Sequence, residues 1–257
     1  MDRSRLGVGI PRYGIVENAL ATEIQFMSSA EWDAIRLSLQ VAAASAACSL
    51  PFALVVAWIL ARCQFFGKSL FETIINLPLV LPPVVTGFLL LVLFGRNGPL
   101  GRTLENWFGV RFVFDWKGAA LAAAIVSFPL MVRAIKVALN SVDTRLEETA
   151  RTLGAGPLDA FLTITMPLAW HGIIGGCLLA FARSLGEFGA TIMLAGNTPG
   201  KTQTIPLYVY DQFQSPTGMA GAWVLVIMSV FIAFVALAIG ERLERRVVPG
   251  GSRRRQR

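Results

Sequence analysis

The sequence predicts an all-α integral membrane protein, and three observations carry that prediction. Of the 257 residues 54% are hydrophobic and 15% are charged, whereas soluble globular domains carry about 25% charged residues. Five stretches are nearly free of charge over the ~20 residues that a helix needs to cross a ~30 Å hydrocarbon layer. Seven arginines (Arg242, Arg245, Arg246, Arg253, Arg254, Arg255 and Arg257) crowd the chain after the last stretch, as cations flanking a membrane do.

Taken in order, residues 1–26 hold Arg3, Arg5, Arg12, Glu17 and Glu23 and no apolar run of signal-peptide length. That segment therefore reads as a poorly ordered tail, or as the product of a start codon set too early, within an extracytoplasmic N-terminal region 1–35. Residues 37–61 lie uncharged between Arg36 and Arg62 and form the first span. Residues 70–94 carry only Glu72, and residues 118–139 are uncharged until Arg133 and Lys136. Residues 160–182 carry only His171, and residues 218–240 no charge at all. The apolar segment 184–198, with Glu187, has roughly 15 residues and falls short of a span.

Five spans put the N-terminus outside and leave the polar segment 143–163 and the tail 246–257 on the inside, in keeping with the positive-inside bias. Letting 184–198 cross would carry the arginines outside. Arg62 and Lys68 also fall inside, and Arg96, Arg102, Arg111 and Lys117 outside, so the tail carries most of the bias. Pro51, Pro78, Pro82, Pro83 and Pro129 interrupt the first three spans. Each removes a helix hydrogen bond, which suits both simple packing kinks and the broken helices of transporters.

Several function classes are excluded. The net charge of +7 is concentrated in the tail, with no aromatic residues among the arginines to stack on bases, so it reads as membrane-flanking rather than nucleic-acid binding. Cys48, Cys63 and Cys177 have no paired spacing and His171 is the single histidine, which argues against disulfides and against a metal site.

The segment between the third and fourth spans is the most informative. Thr144 and Glu147 have the spacing of a capping box. Leu146, Ala150 and Leu153 follow as one apolar stripe. Gly154 is placed to end that helix in the left-handed region, and Gly156 and Pro157 to start a second one bearing Leu158, Phe161 and Leu162. Glu147, Glu148, Arg151 and Asp159 would point outward. On residues alone, this hairpin is either a solvated connection or a seat for a soluble partner.

The run Glu148-Thr149-Ala150-Arg151-Thr152-Leu153-Gly154, with Ile164 and Pro167 at the right distance, resembles the EAA loop of permease subunits of ATP-binding-cassette importers. Thr149 stands for the middle alanine and Met166 for a leucine. The resemblance implies a type I ABC importer permease core, with Glu147, Glu148, Ala150, Arg151, Gly154, Ile164 and Pro167 gripping a cytoplasmic ATPase. A narrower likeness lies in Leu77-Pro78-Leu79-Val80-Leu81-Pro82-Pro83, in Phe128-Pro129-Leu130-Met131-Val132-Arg133, and in Arg183-Ser184-Leu185-Gly186-Glu187-Phe188-Gly189-Ala190-Thr191. Together these resemble the molybdate importer permeases, with sulfate and thiosulfate permeases as near relatives and tungstate as a further possible cargo. The likeness runs from about Met27 to Arg245 and is loose between Thr198 and Ala222.

That family implies a homodimer of permeases in the bacterial inner membrane, two cytoplasmic ATPases and a periplasmic oxyanion-binding protein. ATP and magnesium would belong to the ATPase, with no cofactor on this chain. Contact with membrane lipid is expected of the spans and the basic tail. Ala195-Gly196-Asn197-Thr198-Pro199-Gly200-Lys201-Thr202 imitates a P-loop, but lacks the preceding strand and is followed by Pro206. Arg183 and Glu187, four residues apart, can pair on a helix, either in a translocation path or as an interface ion pair. Arg133, Ser184 and Thr191 complete the candidate path. Two other classes remain: an ion-coupled secondary transporter would need a buried carboxylate near the midplane, for which Glu72 and Glu187 are poorly placed, and a membrane anchor for a soluble enzyme would not need the Pro-rich spans.

The topology has a direct check. A fluorescent protein fused after Arg257 should fold and fluoresce in living cells, and alkaline phosphatase fused at the same point should be inactive. Active phosphatase there would invert the orientation.

Overall fold

The computed structural model describes residues 28–215 and 219–245, so residues 1–26 and the tail 246–257 lie outside the described residues. Long helices dominate. They are α1 (Ser29–Arg62), α2 (Lys68–Val80), α3 (Pro83–Phe94), α4 (Pro99–Phe108), α5 (Trp116–Asn140) and α6 (Thr144–Thr152). After them come α7 (Pro157–Ala160), a π-helical turn (Phe161–Thr165), α8 (Met166–Leu185), α9 (Gly189–Ala195), α10 (Ile205–Gln214) and α11 (Met219–Arg245).

The first helix begins at Ser29, not at residue 36 or 37. The reason is a capping box absent from the sequence reading. The Glu31 amide donates to Ser28 Oγ at 3.3 Å, and the Ser28 amide donates to Glu31 Oε2 at 2.8 Å. α10 packs on this end of α1, where the Ile205 amide donates to Ser38 Oγ at 2.7 Å. Burial pushes the Tyr208 phenol, on α10, above its ordinary value.

The second expected span is not a straight rod. α2 and α3 are bent by 110° at Leu81 and Pro82. Proline crowds the residue before it out of the helical region, and Leu81 is extended with φ −67° and ψ 140°. Pro83 then starts α3, where its missing N–H costs nothing. Among the described residues four helices are long and apolar enough to cross a membrane, or five if the bent pair is one span.

The core is built mainly from small residues. α5 packs most extensively on α1 and α8; Ala46, Ala53 and Ala57 of α1 share one buried cluster with Ala138 of α5, and Val41 of α1 shares another with Ala119 and Ala123 of α5. Between lipid-facing helices no hydrophobic force drives association, so close backbone approach and van der Waals contact must do it. On α8 Gly172 and Gly176 face Ala138 and Ala134 of α5. A Cβ on Gly172 would lie 2.4 Å from that of Ala138. The 184–198 segment ends α8 and then turns into α9, which lies against α3 and α5 with Ala190, Thr191, Leu194 and Ala195 buried.

The α5–α8 contact generates a test. Gly172→Val should destabilise the protein in detergent by about 1–3 kcal/mol, the usual range for overpacking. Ala138→Gly in the same chain should restore part of the lost melting temperature. Independent, additive losses would show that these two positions do not meet.

Candidate functional site

The hairpin is assembled at the end of the bundle where α1 and α5 stop. Asp143, not Thr144, caps α6, its carboxylate accepting from the Arg145 amide at 3.0 Å. The expected Thr144–Glu147 capping box does not form, because the Glu147 side chain is used elsewhere. Arg62, at the end of α1, donates to Glu147 Oε1 from Nη2 at 2.7 Å and from Nε at 3.1 Å. The same Nη2 donates to the Leu139 carbonyl at the end of α5, at 3.1 Å. Thr165 Oγ1 donates to Glu147 Oε1 at 2.5 Å. Glu147 therefore turns inward, correcting the outward placement; Glu148, Arg151 and Asp159 are exposed.

Gly154 ends the first limb with φ +98°, the left-handed conformation that its position requires. Gly156 precedes Pro157, the first residue of α7. The second limb is not a separate helix. α7, the π-turn and α8 run on as one helix from Pro157 to Leu185. Pro167 offers no N–H to the carbonyl four residues back, and the Met166 amide reaches Phe161 O, five residues back. This widened turn brings Thr165, fully buried, to Glu147. Ala150 and Ile164 are half-buried and Pro167 is exposed.

The outer face of the hairpin has no cover among the described residues. Leu146 is 47% exposed, Leu153 85% and Leu158 70%. An apolar stripe rimmed by Glu148, Arg151 and Asp159 suits a protein partner better than bare water.

The five path candidates separate. Arg183 Nη1 lies 3.0 Å from Glu187 Oε2, and Glu187 Oε1 accepts the Ala190 amide at 3.0 Å. Both carboxylate oxygens are thus engaged in joining α8 to α9, and the Glu187 side chain is only 2% exposed. Ser184 Oγ accepts from Ser45 Oγ at 2.9 Å and donates to Ser127 Oγ at 3.2 Å, linking α8 to α1 and α5. Thr191 is buried in α9. Arg133 lines a cavity of about 370 Å³, with Glu72, Asn76, Lys136 and Asn140.

Sequence reasoning missed Arg62 and Thr165 as anchors of the hairpin, Ser45 and Ser127, and the ion pair of Lys136 with Glu72 at 2.6 Å. That pair had a signal. Glu72 stands four residues after the start of α2 at Lys68, and Lys136 four before the end of α5 at Asn140. Both ends were expected on one side, so the one carboxylate of the second span and a cation of the third lay at equal depth.

The P-loop imitation is closed on itself. A helix, α9, precedes it, and the amides of Lys201, Thr202 and Gln203 all donate to the Thr198 carbonyl, at 3.1, 2.9 and 3.2 Å. A phosphate cradle needs such amides free.

Residues 35–249 match the family described as the binding-protein-dependent transport system inner membrane component. The chain is 54% identical over 219 residues to the molybdenum transport system permease protein ModB of Escherichia coli K12, covering 85% of this chain and 96% of the relative. It is 51% identical to the Haemophilus influenzae protein of that name, covering 84% and 95%. To the sulfate transport system permease protein CysW of Synechococcus elongatus it is 39% identical, covering 83% and 74%. Among solved structures it is similar in fold to a bacterial ABC transporter involved in import of the acidic polysaccharide alginate, with TM-score 0.63 at 18% identity, covering 90% of this chain and 84% of the other.

Removing the hairpin's anchor should loosen it. Arg62 and Glu147 are 14% and 20% exposed in their side chains, so Glu147→Ala should cost about 1–3 kcal/mol, less than a fully buried pair would. Trypsin cleavage at Arg145 and Arg151 should become faster. Unchanged cleavage would mean that the pair does not hold the hairpin.

Proposed function

Because the chain belongs to the binding-protein-dependent family of inner-membrane transport components, we propose that it is the permease of an ABC importer that carries molybdate across the bacterial inner membrane. The observation that carries the transport mechanism is the hairpin, an exposed apolar face continuous through the π-turn with α8 and pinned by Arg62 to α1 and α5. A push on α6 reaches three bundle helices without passing through a flexible joint. The molybdate assignment rests on the 54% and 51% identities to molybdenum permeases.

In this reading the hairpin faces the cytoplasm, and Leu146, Leu153 and Leu158 seat in a groove of a separate ATPase. Glu148, Arg151 and Asp159 set the rim contacts. Gly154 fixes the turn between the limbs, while Ala150, Ile164 and Pro167 set how the second limb lies against the first. Glu147 acts through Arg62, positioning the hairpin rather than meeting the partner. ATP and magnesium sit on the ATPase, and this chain supplies the path and no hydrolytic group. Two copies of the chain form the path, with two ATPases beneath and a periplasmic oxyanion-binding protein above. The exposed apolar residues of α2 and α3, among them Ile74, Leu77, Val84 and Phe88, support contact with a second copy and with lipid. Arginines of the tail would meet anionic lipid or the ATPase.

The test is the ATPase rate of the reconstituted complex with binding protein loaded in turn with molybdate, tungstate or sulfate. Stimulation by molybdate and not by sulfate is expected. Stimulation by sulfate alone would move the chain to the sulfate branch, for which the 39% identity to CysW speaks. Leu153→Asp should lower the stimulated rate about tenfold, as loss of an interface anchor does, with the permease still in the membrane. Gly154→Val should do the same, since left-handed backbone costs a side-chain-bearing residue about 1–2 kcal/mol.

A further inference from the structure

Two cavities lie next to each other along α2 and α5 and share Ile75 in their walls. The one farther from the hairpin, about 500 Å³, is lined almost wholly by hydrocarbon, including Phe52, Ile74, Pro78, Ile125 and Phe128. The one nearer the hairpin, about 370 Å³, brings together Arg133, Lys136, Glu72, Asn76 and Asn140. Two cations against one carboxylate leave this chamber with a net charge of +1 (2 − 1). Its chemistry differs sharply from that of its neighbour: hydrocarbon offers an oxyanion nothing, whereas the chamber offers it donors.

The donors are unequally committed. Lys136 Nζ is held by Glu72 Oε1 at 2.6 Å, and Asn76 Nδ2 donates to the Glu72 carbonyl at 2.8 Å. Arg133 makes no ion pair among the described residues. An unpaired guanidinium at a cavity wall presents a planar fork of N–H donors that matches two oxygens of a tetrahedral oxyanion. Ammonium, by contrast, is a point charge on a flexible stem and can change partners with little rearrangement. The chamber floor also meets the hairpin anchor, because Asn140 lines the chamber and the adjacent Leu139 carbonyl accepts from Arg62.

Resting on the importer reading above, we propose that this chamber is a release site that holds one tetrahedral oxyanion dianion after it leaves the apolar section. Arg133 grips two of its oxygens, and Lys136 swings from Glu72 to a third. Glu72 keeps the site weak: it repels the dianion and takes Lys136 back, so the anion departs. A conduction site must bind strongly enough to be entered and weakly enough to be left. Movement of the hairpin, through Arg62 and the last turn of α5, changes the floor of the chamber.

The probe is molybdate itself, added to the complete transporter in lipid nanodiscs without binding protein, and followed by line broadening in molybdenum NMR. Saturable broadening is expected for the unaltered complex. Arg133→Gln and Lys136→Gln should each weaken it tenfold or more, and Glu72→Gln should strengthen it several-fold. A purely structural ion pair predicts the reverse for Glu72→Gln, with binding unchanged or lost, and that result would overturn the proposal. Absence of saturable broadening in the unaltered complex, with its ATPase still stimulated by loaded binding protein, would also overturn it while leaving the importer reading in place. An ATPase that ignores loaded binding protein would remove the importer reading and this inference with it.

Discussion

A single guanidinium holds the working end of this molecule together. Arg62 closes α1, donates to the Glu147 carboxylate of the hairpin and to the Leu139 carbonyl at the end of α5. Through Glu147 the same knot reaches Thr165 in the π-turn that opens α8. Three bundle helices and the hairpin thus converge on one charge. A partly buried charge is tolerated only when its donors are satisfied, and here backbone and carboxylate share that task. If the knot were absent, the first limb of the hairpin would lose its direct ties to α1 and α5, while the second limb would stay continuous with α8.

Proline decides where the helices depart from straight rods, and each departure has a use. At Leu81, Pro82 and Pro83 the bend of 110° turns α3 towards α9. At Pro167 the missing donor widens the turn before it into a π-turn, which carries Thr165 to Glu147. Pro129 lines the cationic chamber. Small residues do the complementary work. Where Gly172 and Gly176 face Ala138 and Ala134, α5 and α8 approach closely enough to act as one body, so a displacement of α8 is felt at the chamber on α5.

Polar groups inside the bundle are mostly spoken for. Ser184 bonds both Ser45 and Ser127, linking three helices, and Arg183, Glu187 and the Ala190 amide form a closed joint. Such groups specify helix register and leave little for a passing anion. The sequence offered Arg183, Ser184 and Glu187 either to a path or, for the charged pair, to an interface, and in the structure all three join helices. Arg133 is the exception, since it lines a cavity and makes no ion pair among the described residues.

Much of the class was legible without coordinates, because a bilayer imposes length and apolarity on each span and these are one-dimensional properties. The long helices α1, α5, α8 and α11, the left-handed Gly154 and the start at Pro157 follow from local rules of that kind. Pairings across the fold do not. Thr144 and Glu147 have capping-box spacing, yet Arg62, 85 positions away in sequence, outcompetes the local amide for the carboxylate. Likewise Glu72 and Lys136 became partners only when α2 lay against α5. Sequence by itself determined which segments leave water and where helices stop, since both depend on neighbours along the chain. Tertiary structure alone decided which charge meets which, because a charge's partner is set by distance in space and by what else competes for it there.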